Sequence, residues 1–167
     1  NLVNLAHLDL TNCESLTSLP DSIGNLVNLT HLLLDSCGSM TSLPGSIGNL
    51  KSLTHIDFYR CESLTSLPES IGNLDKLTHL VLSGCGALTW VPESIGNLKS
   101  LVFLDLTGCE LLTSLPCSIY KLSTHAQIFI RGCALPMSVQ KRSINDDIVL
   151  VAPPTRVDRH PQRPLPE

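Results

Sequence analysis

Histidine and cysteine, two side chains suited to metal binding and nucleophilic chemistry, recur in this sequence at a fixed interval of 24 residues. The cysteines of the series are Cys13, Cys37, Cys61, Cys85, Cys109 and Cys133. The histidines are His7, His31, His55 and His79. Such residues could form a Cys–His nucleophilic pair, a metal site or a disulfide framework, or could be purely structural.

The same interval extends to the rest of the sequence. Successive units read L-x-x-L-x-L-x-x-C-x-x-L-x-x-L-P-x-S-I-G-N-L, and a degenerate sixth copy begins at Lys121. The first five units start at Asn1, Asn25, Asn49, Asn73 and Asn97. Because a unit of this length cannot bury its own apolar face, the copies must stack into a solenoid with a shared core.

Each unit predicts one short strand, because apolar and other residues alternate before the cysteine with a period of two. The Leu-Pro step, as at Leu19–Pro20, predicts an irregular segment or a short helical turn on the opposite side. Glycines such as Gly24 are expected to turn the chain into the next strand. The residues predicted to point inward are Leu8 and Leu10, Leu32 and Leu34, Ile56 and Phe58, Leu80 and Leu82, Leu104 and Leu106, and Ile128 and Ile130.

From residue 1 to about residue 139 the pattern resembles leucine-rich-repeat proteins. The wording C-x-x-L-x-x-L-P-x-S-I-G-N-L is most similar to plant intracellular nucleotide-binding disease-resistance receptors of the TIR type, and also to Ras-scaffold leucine-rich-repeat proteins. The resemblance implies an α/β solenoid with a curved parallel sheet on its concave face and irregular or short helical convex segments. We assign residues 1–140 to about six 24-residue repeats and residues 141–167 to a Pro-rich, mostly disordered tail with room for a short strand at 148–151.

The resemblance places the cysteine series inward, where leucine-rich repeats usually hold an Asn or Cys. The alternative is a disulfide framework, but identical spacing predicts parallel buried thiols one repeat apart. Such free thiols suit a reducing compartment better than a secreted one. Cys117 lies outside the series and is the candidate for an exposed thiol. The histidines point outward, so a Cys–His pair is excluded, and none of the common hydrolase, zinc-protease or phosphate-loop motifs occurs. We therefore expect no enzymatic activity and no cofactor.

The histidines should stack on the exposed concave face at the strand spacing of about 4.8 Å. That arrangement suggests a metal hypothesis, since neighbouring imidazoles come close to the span of one zinc ion. No residue of the repeat completes a closed ligand set, however. We therefore assign no metal site.

Charge limits the classes of partner. Residues 1–120 hold 4 Lys and Arg against 11 Asp and Glu, and residues 121–167 hold 7 against 4. An acidic array without a basic stripe is a poor match for phosphate backbones, so we expect no nucleic-acid partner. No apolar run reaches the roughly 18 residues that cross a bilayer, so we expect no membrane partner. Because the sequence begins in mid-array, we also expect a fragment whose other domains lie upstream.

The units differ chiefly at outward strand positions, where a protein partner would make contact. Drift on an unconstrained surface is the alternative explanation. Aromatic and arginine side chains, which are enriched at binding hot spots, favour the partner. The predicted protein-binding residues of the concave face are His7, Asp9, His31, Leu33, Asp35, His55, Asp57, Tyr59, Arg60, His79, Val81, Phe103, Asp105, Thr107, Phe129 and Arg131.

The sequence thus predicts a non-catalytic protein-recognition module, the ligand-sensing or autoregulatory part of a plant-type intracellular immune receptor in the cytoplasm. Two alternatives stay open. One is an intracellular signalling scaffold of the Ras-associated type, and the other is an extracellular receptor ectodomain, which the glycosylation sequon Asn28-Leu29-Thr30 would suit. An upstream nucleotide-binding domain favours the first reading, its absence favours the scaffold, and a signal peptide favours the ectodomain.

Overall fold

One strand and one 3₁₀ helix form in each of the first five repeats of this computed structural model, which describes residue 2, residues 4–136, and the backbone of residues 141–144 and 147–150. The strands are β1 His7–Asp9, β2 His31–Leu33, β3 His55–Asp57, β4 His79–Val81, β5 Phe103–Asp105, β6 Gln127–Phe129, β7 Lys141–Ile144 and β8 Asp147–Leu150. The 3₁₀ helices are η1 Asp21–Asn25, η2 Gly45–Asn49, η3 Glu69–Asn73, η4 Glu93–Asn97 and η5 Cys117–Lys121.

Strands β1 to β6 form a parallel sheet in chain order, with each residue beside its counterpart in the next repeat. Pairing continues past the short strands, since the Leu10 N–H donates to the Leu33 carbonyl at 2.8 Å and the Asn12 N–H to the Asp35 carbonyl at 2.8 Å. The predicted leucine-rich-repeat solenoid with a parallel sheet is confirmed.

The inward residues of the second to sixth repeats are buried, as the alternation predicts. Ile56 in β3 and Phe58, which follows that strand, are at most 1% exposed. In the first repeat Leu8 and Leu10 are only half-buried. The first repeat packs against one neighbouring repeat and the inner repeats against two, so burial rises from the first repeat inward.

The opposite side of each unit carries the short helical turn that the Leu-Pro step predicts. Pro20 caps η1 with φ −71° and ψ 153°, an extended conformation that prevents an earlier helical start. The remaining 3₁₀ helices each begin after an equivalent proline. In the described part of the chain, no helix is long and apolar enough to cross a membrane.

The glycine that ends the S-I-G step serves close packing, which corrects the predicted turning role. Gly48 lies inside η2, and a Cβ added there would be 2.6 Å from the Ser70 carbonyl oxygen of the next repeat. Gly72 meets Ser94 in the same way. The left-handed backbone that favours glycine occurs elsewhere, after the strands, at Asn12, Ser36, Arg60, Gly84, Gly108 and Gly132.

The cysteine series links consecutive repeats and is structural. The buried Cys61 thiol donates to the Leu34 carbonyl of the preceding repeat at 3.1 Å, and burial raises the pKa of Cys61 to about 12. Cys13, Cys37, Cys61, Cys85, Cys109 and Cys117 form no disulfide. Cys117 is exposed as predicted. Cys13 is also exposed, contrary to the inward prediction for the whole series, because it lies in the end repeat of the stack.

Part of the segment predicted to be a mostly disordered tail forms two strands. Strands β7 and β8 pair antiparallel, and β8 continues the sheet beside β6 with Phe129 opposite Val149. The strand expected at 148–151 largely coincides with β8. A paired neighbour covers the hydrogen-bonding edge that β6 would otherwise expose. Predictions for residues 137–140, 145–146 and 151–167 lie outside the described residues.

Replacing Gly48 by Ala should lower the free energy of unfolding by about 1–3 kcal/mol, the usual cost of overpacking. Its Cβ would have to push apart two backbones that already touch. Gly45→Ala is a matched control in the same helix, since nothing lies within 4 Å of its Cβ position. Urea denaturation of both variants measures the effect, and equal losses would contradict the packing role.

Native-state alkylation followed by mass spectrometry should modify Cys13 and Cys117 first. The thiols of Cys37, Cys61, Cys85 and Cys109 are buried, so they should react only after unfolding. Denatured protein, in which all seven should react, is the control. Rapid modification of any of the four buried thiols in folded protein would contradict the inward placement.

Candidate functional site

The sheet face is the name used here for the outward residues of β1 to β6 and of the turns that follow them. The first and third residues of each strand lie on it, from His7 and Asp9 to Gln127 and Phe129. Leu33, Val81 and Asp105 are half-buried strand positions. The other predicted residues, Asp35, Tyr59, Thr107 and Arg131, follow directly in the turns.

Arg60 differs from the other predicted site residues. It has a left-handed backbone with φ 56°, one residue beyond the sheet face. Its Nε lies 3.9 Å from Oε1 of Glu62, and both side chains are largely exposed. They line an open polar groove of ≈ 580 Å³ beside the turns, together with residues such as Asn12 and Ser36. An exposed ion pair of this kind contributes little free energy, so we place Arg60 at the margin of the surface.

The four histidines form a continuous stack across β1 to β4. The ring centroids of His7 and His31 are 4.4 Å apart, those of His31 and His55 4.5 Å, and those of His55 and His79 4.4 Å. The ring planes are within 15° of parallel. Register and the outward alternation therefore produce the histidine ladder that the sequence predicts.

Two phenylalanines extend the ladder toward the C terminus. The Phe103 ring follows His79 with a centroid distance of 5.8 Å. Phe129, from the other outward position of β6, lies 5.2 Å from Phe103 at 44°. Both are half-buried. The sheet face thus changes from imidazoles to an apolar aromatic pair along the sheet.

A threonine before each of three ladder histidines fixes the ring's protonation. The Thr30 Oγ1 lies 2.8 Å from the Ala6 carbonyl oxygen and 2.9 Å from His31 Nδ1. Only the hydroxyl can supply the proton between the two oxygens, because a carbonyl has none. The hydroxyl is therefore committed to the carbonyl, and Nδ1 must donate to Oγ1. The neutral ring carries its hydrogen on Nδ1, and Nε2 is an acceptor.

The arrangement repeats with the repeats. Thr54 donates to the Thr30 carbonyl at 3.0 Å and contacts His55 Nδ1 at 2.8 Å. Thr78 and His79 do the same. In the fifth repeat both residues change together, to Val102 and Phe103. The role of these threonines was not predicted from the sequence, although the recurring Thr-His dipeptide and the joint replacement of both residues indicate it.

The geometry does not arrange the ladder around one metal ion. Nearly parallel rings about 4.4 Å apart hold their Nε2 atoms at a similar separation. Two nitrogens at 2.0–2.1 Å from one zinc cannot be more than about 4.2 Å apart. Among the described residues no group of three or more His, Cys, Asp and Glu side chains forms a candidate metal site.

The aspartates of the sheet face are partly engaged by their own turns. Asp9 Oδ1 accepts from the Thr11 N–H at 2.9 Å, and Asp57 Oδ1 accepts from the Tyr59 N–H at 2.8 Å. Hydrogen bonds from the Thr11 side chain and backbone lower the pKa of Asp9. Desolvation raises the pKa of Asp57. Each carboxylate retains further acceptor capacity, so the face combines acidic and imidazole acceptors.

Comparisons with known proteins agree with this architecture. Residues 1–89 match the leucine-rich repeat region family, and residues 100–122 match a leucine-rich repeat family. No curated protein sequence matched the chain.

Among solved structures, a Leptospira interrogans leucine-rich-repeat protein is 25% identical, with TM-score 0.45, 86% of this chain covered and 46% of that chain. The leucine-rich repeat domain of the type III effector XopL is 23% identical, with TM-score 0.48, and the match covers 81% of this chain and 70% of that chain. A chain of the Drosophila Toll–Spatzle complex is 22% identical, with TM-score 0.50, and the match covers 72% of this chain and 19% of that chain. The chain spans less than half the length of the first and third of these.

The similarity to the Toll–Spatzle structure shows that the fold is shared. The family of the chain is established by the sequence match over residues 1–89. That match includes every strand from β1 to β4 and all four ladder histidines. Since the match over residues 1–89 exceeds half of the 167 residues, the chain belongs to the leucine-rich repeat family.

Proposed function

We propose that this chain is a non-catalytic protein-recognition module that holds a partner on the sheet face, on the concave side of the solenoid. The observation that carries the proposal is the contact of Phe103 and Phe129 on the outward side, with ring centroids 5.2 Å apart. Paired aromatic rings outside the core offer apolar area that a partner can cover.

The difference between core and surface supports recognition over drift. The inward strand positions are apolar in every repeat, whereas the sheet face varies from Asp9 to Leu33 to Phe129. Repeated units with a common core can therefore present a varied surface without changing the fold. Toll, which shares the fold, forms a complex with Spatzle.

A binding role fits the placement of the reactive groups better than catalysis does. The Cys85 thiol is buried and donates to the Phe58 carbonyl at 3.2 Å, while the neighbouring histidines lie on the opposite side of the sheet. Desolvation raises the pKa of Cys85, which disfavours the thiolate nucleophile. We accordingly propose no enzymatic activity and no cofactor.

We further propose that the module belongs to a plant-type intracellular immune receptor. Two observations support this assignment. One is the repeat pattern C-x-x-L-x-x-L-P-x-S-I-G-N-L, and the other is that the six cysteines from Cys13 to Cys117 form no disulfide, which suits a reducing compartment. The gene sequence upstream of Asn1 tests it. A nucleotide-binding domain there would support the receptor, whereas a continuous scaffold array or a signal peptide would replace it with one of the alternatives.

The double variant Phe103→Ala and Phe129→Ala should weaken a purified partner's affinity by about 2 kcal/mol or more, the typical loss at a hot spot. Titration calorimetry with a partner first captured from the native source measures it. Melting temperature should change little compared with Leu104→Ala, which opens a cavity in the core.

Trp90→Ala is the matched control for the loss of an exposed aromatic, because Trp90 is 44% exposed and lies away from the sheet face. It should leave the affinity unchanged. A partner that is sensitive to Trp90 and insensitive to the two phenylalanines would place recognition on another surface.

A further inference from the structure

The histidine ladder presents a row of hydrogen-bond acceptors. Because Nδ1 of His31, His55 and His79 donates to a threonine, the acceptor lone pair of each ring lies on Nε2, at the far end of the side chain. Nearly parallel stacking repeats this acceptor every 4.4–4.5 Å. A partner that matches the row must supply donors.

The charges of the same face specify which donors fit. The titratable and charged groups that β1 to β6 and their turns place around the ladder are His7, Asp9, Asp35, Asp57, Asp105, Arg131 and the Tyr59 phenol. Four are carboxylates and one is a guanidinium. Neutral acceptors beside several carboxylates complement lysine and arginine side chains, which are cationic and donate only.

We propose that the ladder is a proton-sensitive binding strip for a lysine- or arginine-bearing peptide segment of the partner. The proposal rests on the proposed recognition function and names the chemistry of what is recognised. At neutral pH the Nε2 acceptors receive donors from the cationic side chains. Protonation at Nε2 converts each acceptor into a charged donor, so the strip then repels the segment that it held.

Stacking makes His55, a central ring of the ladder, harder to protonate. Desolvation, followed by the charges of His79 and His31, lowers the pKa of His55 below its usual 6.5. A lowered histidine pKa keeps the ring neutral above pH 6.5, and its contribution to folding stability is lost as the pH falls through the folded-state value. Nδ1 keeps its hydrogen bond to threonine in both states, so protonation changes the surface without breaking that contact.

Nitrogen-15 NMR of the imidazoles tests the tautomer at pH 7.5. His31, His55 and His79 should show a protonated Nδ1 and an unprotonated Nε2. Thr54→Val, which removes one hydroxyl at nearly constant volume, should alter the tautomer of His55 and leave His79 unchanged. His7 follows Ala6 and has no such hydroxyl, so it is an internal control. Protonated Nε2 atoms in the unaltered protein would overturn the proposal.

Binding is tested with labelled octa-arginine and octa-glutamate peptides, by fluorescence polarisation at constant ionic strength. Octa-arginine should bind about tenfold more weakly at pH 5.5 than at pH 7.5, as expected when like charges meet near a surface. Octa-glutamate should not bind at pH 7.5. Equal octa-arginine affinity at the two pH values, or tighter binding of octa-glutamate at pH 7.5, would overturn the proposal.

A triple variant separates the histidines from the carboxylates. His31→Gln, His55→Gln and His79→Gln introduce the residue that the sixth repeat carries at this position, Gln127, which does not titrate. The pH dependence should fall below twofold. A tenfold loss that persists would assign the effect to the aspartates and overturn the ladder's role. Thermal melts at both pH values verify that each variant is folded.

Two further measurements are needed. One tests whether a second copy of the chain occupies the strip, and the other distinguishes this inference from the proposed function. Sedimentation of the full chain should show no self-association that octa-arginine reverses; such competition would assign the strip to a second copy. A native partner whose affinity depends on Phe103 and Phe129 and is insensitive to pH would uphold the proposed function and overturn this inference. Loss of affinity on acidification without any effect of the phenylalanine variants would uphold this inference and remove the phenylalanine pair from the contact with the partner.

Discussion

The close stacking of one repeat on the next is the constraint on which the rest of this structure depends. On one side, backbone hydrogen bonds hold neighbouring strands at the spacing of a parallel sheet. On the other, Gly48 and its equivalents bring 3₁₀ helices into contact with the serine of the next unit. Both sides must advance by a similar distance, which explains why a side chain is excluded at Gly48 and not at Gly45.

The cysteine series is a second consequence of stacking. A small, weakly polar side chain at this position reaches back to a strand carbonyl of the previous repeat, as Cys61 does to Leu34. The thiol satisfies that carbonyl while occupying little space in an apolar core. Its chemistry is suppressed by the same burial, since desolvation disfavours the thiolate. A residue that looks reactive in the sequence is therefore part of the core.

Stacking also determines what the sheet face can do. Identical register places imidazoles ring over ring, and at His55 the desolvation and the neighbouring rings lower the pKa. The threonine hydroxyl is available to orient the ring because it bonds to the carbonyl of the preceding repeat, as Thr54 does to Thr30. The chemistry that this face offers a partner thus derives from contacts between repeats. The sheet face becomes apolar at the fifth repeat, where Val102 and Phe103 replace the threonine and histidine.

The sequence by itself determined the repeat, the inward strand positions, the short helical turns after proline and the stacking of the histidines. Each follows from a fixed period and a local rule, so residues such as Ile56 and His55 could be placed without coordinates. Only the tertiary structure revealed the contact of Gly48 with Ser70, the exposure of Cys13, the pairing of β8 with β6 and the position of Arg60 outside the sheet face. The histidine tautomers were likewise inaccessible, because they depend on a distance between a hydroxyl and a carbonyl 24 residues earlier in the chain. Those features arise where units meet or where the series ends, and a pattern within one repeat contains no information about either.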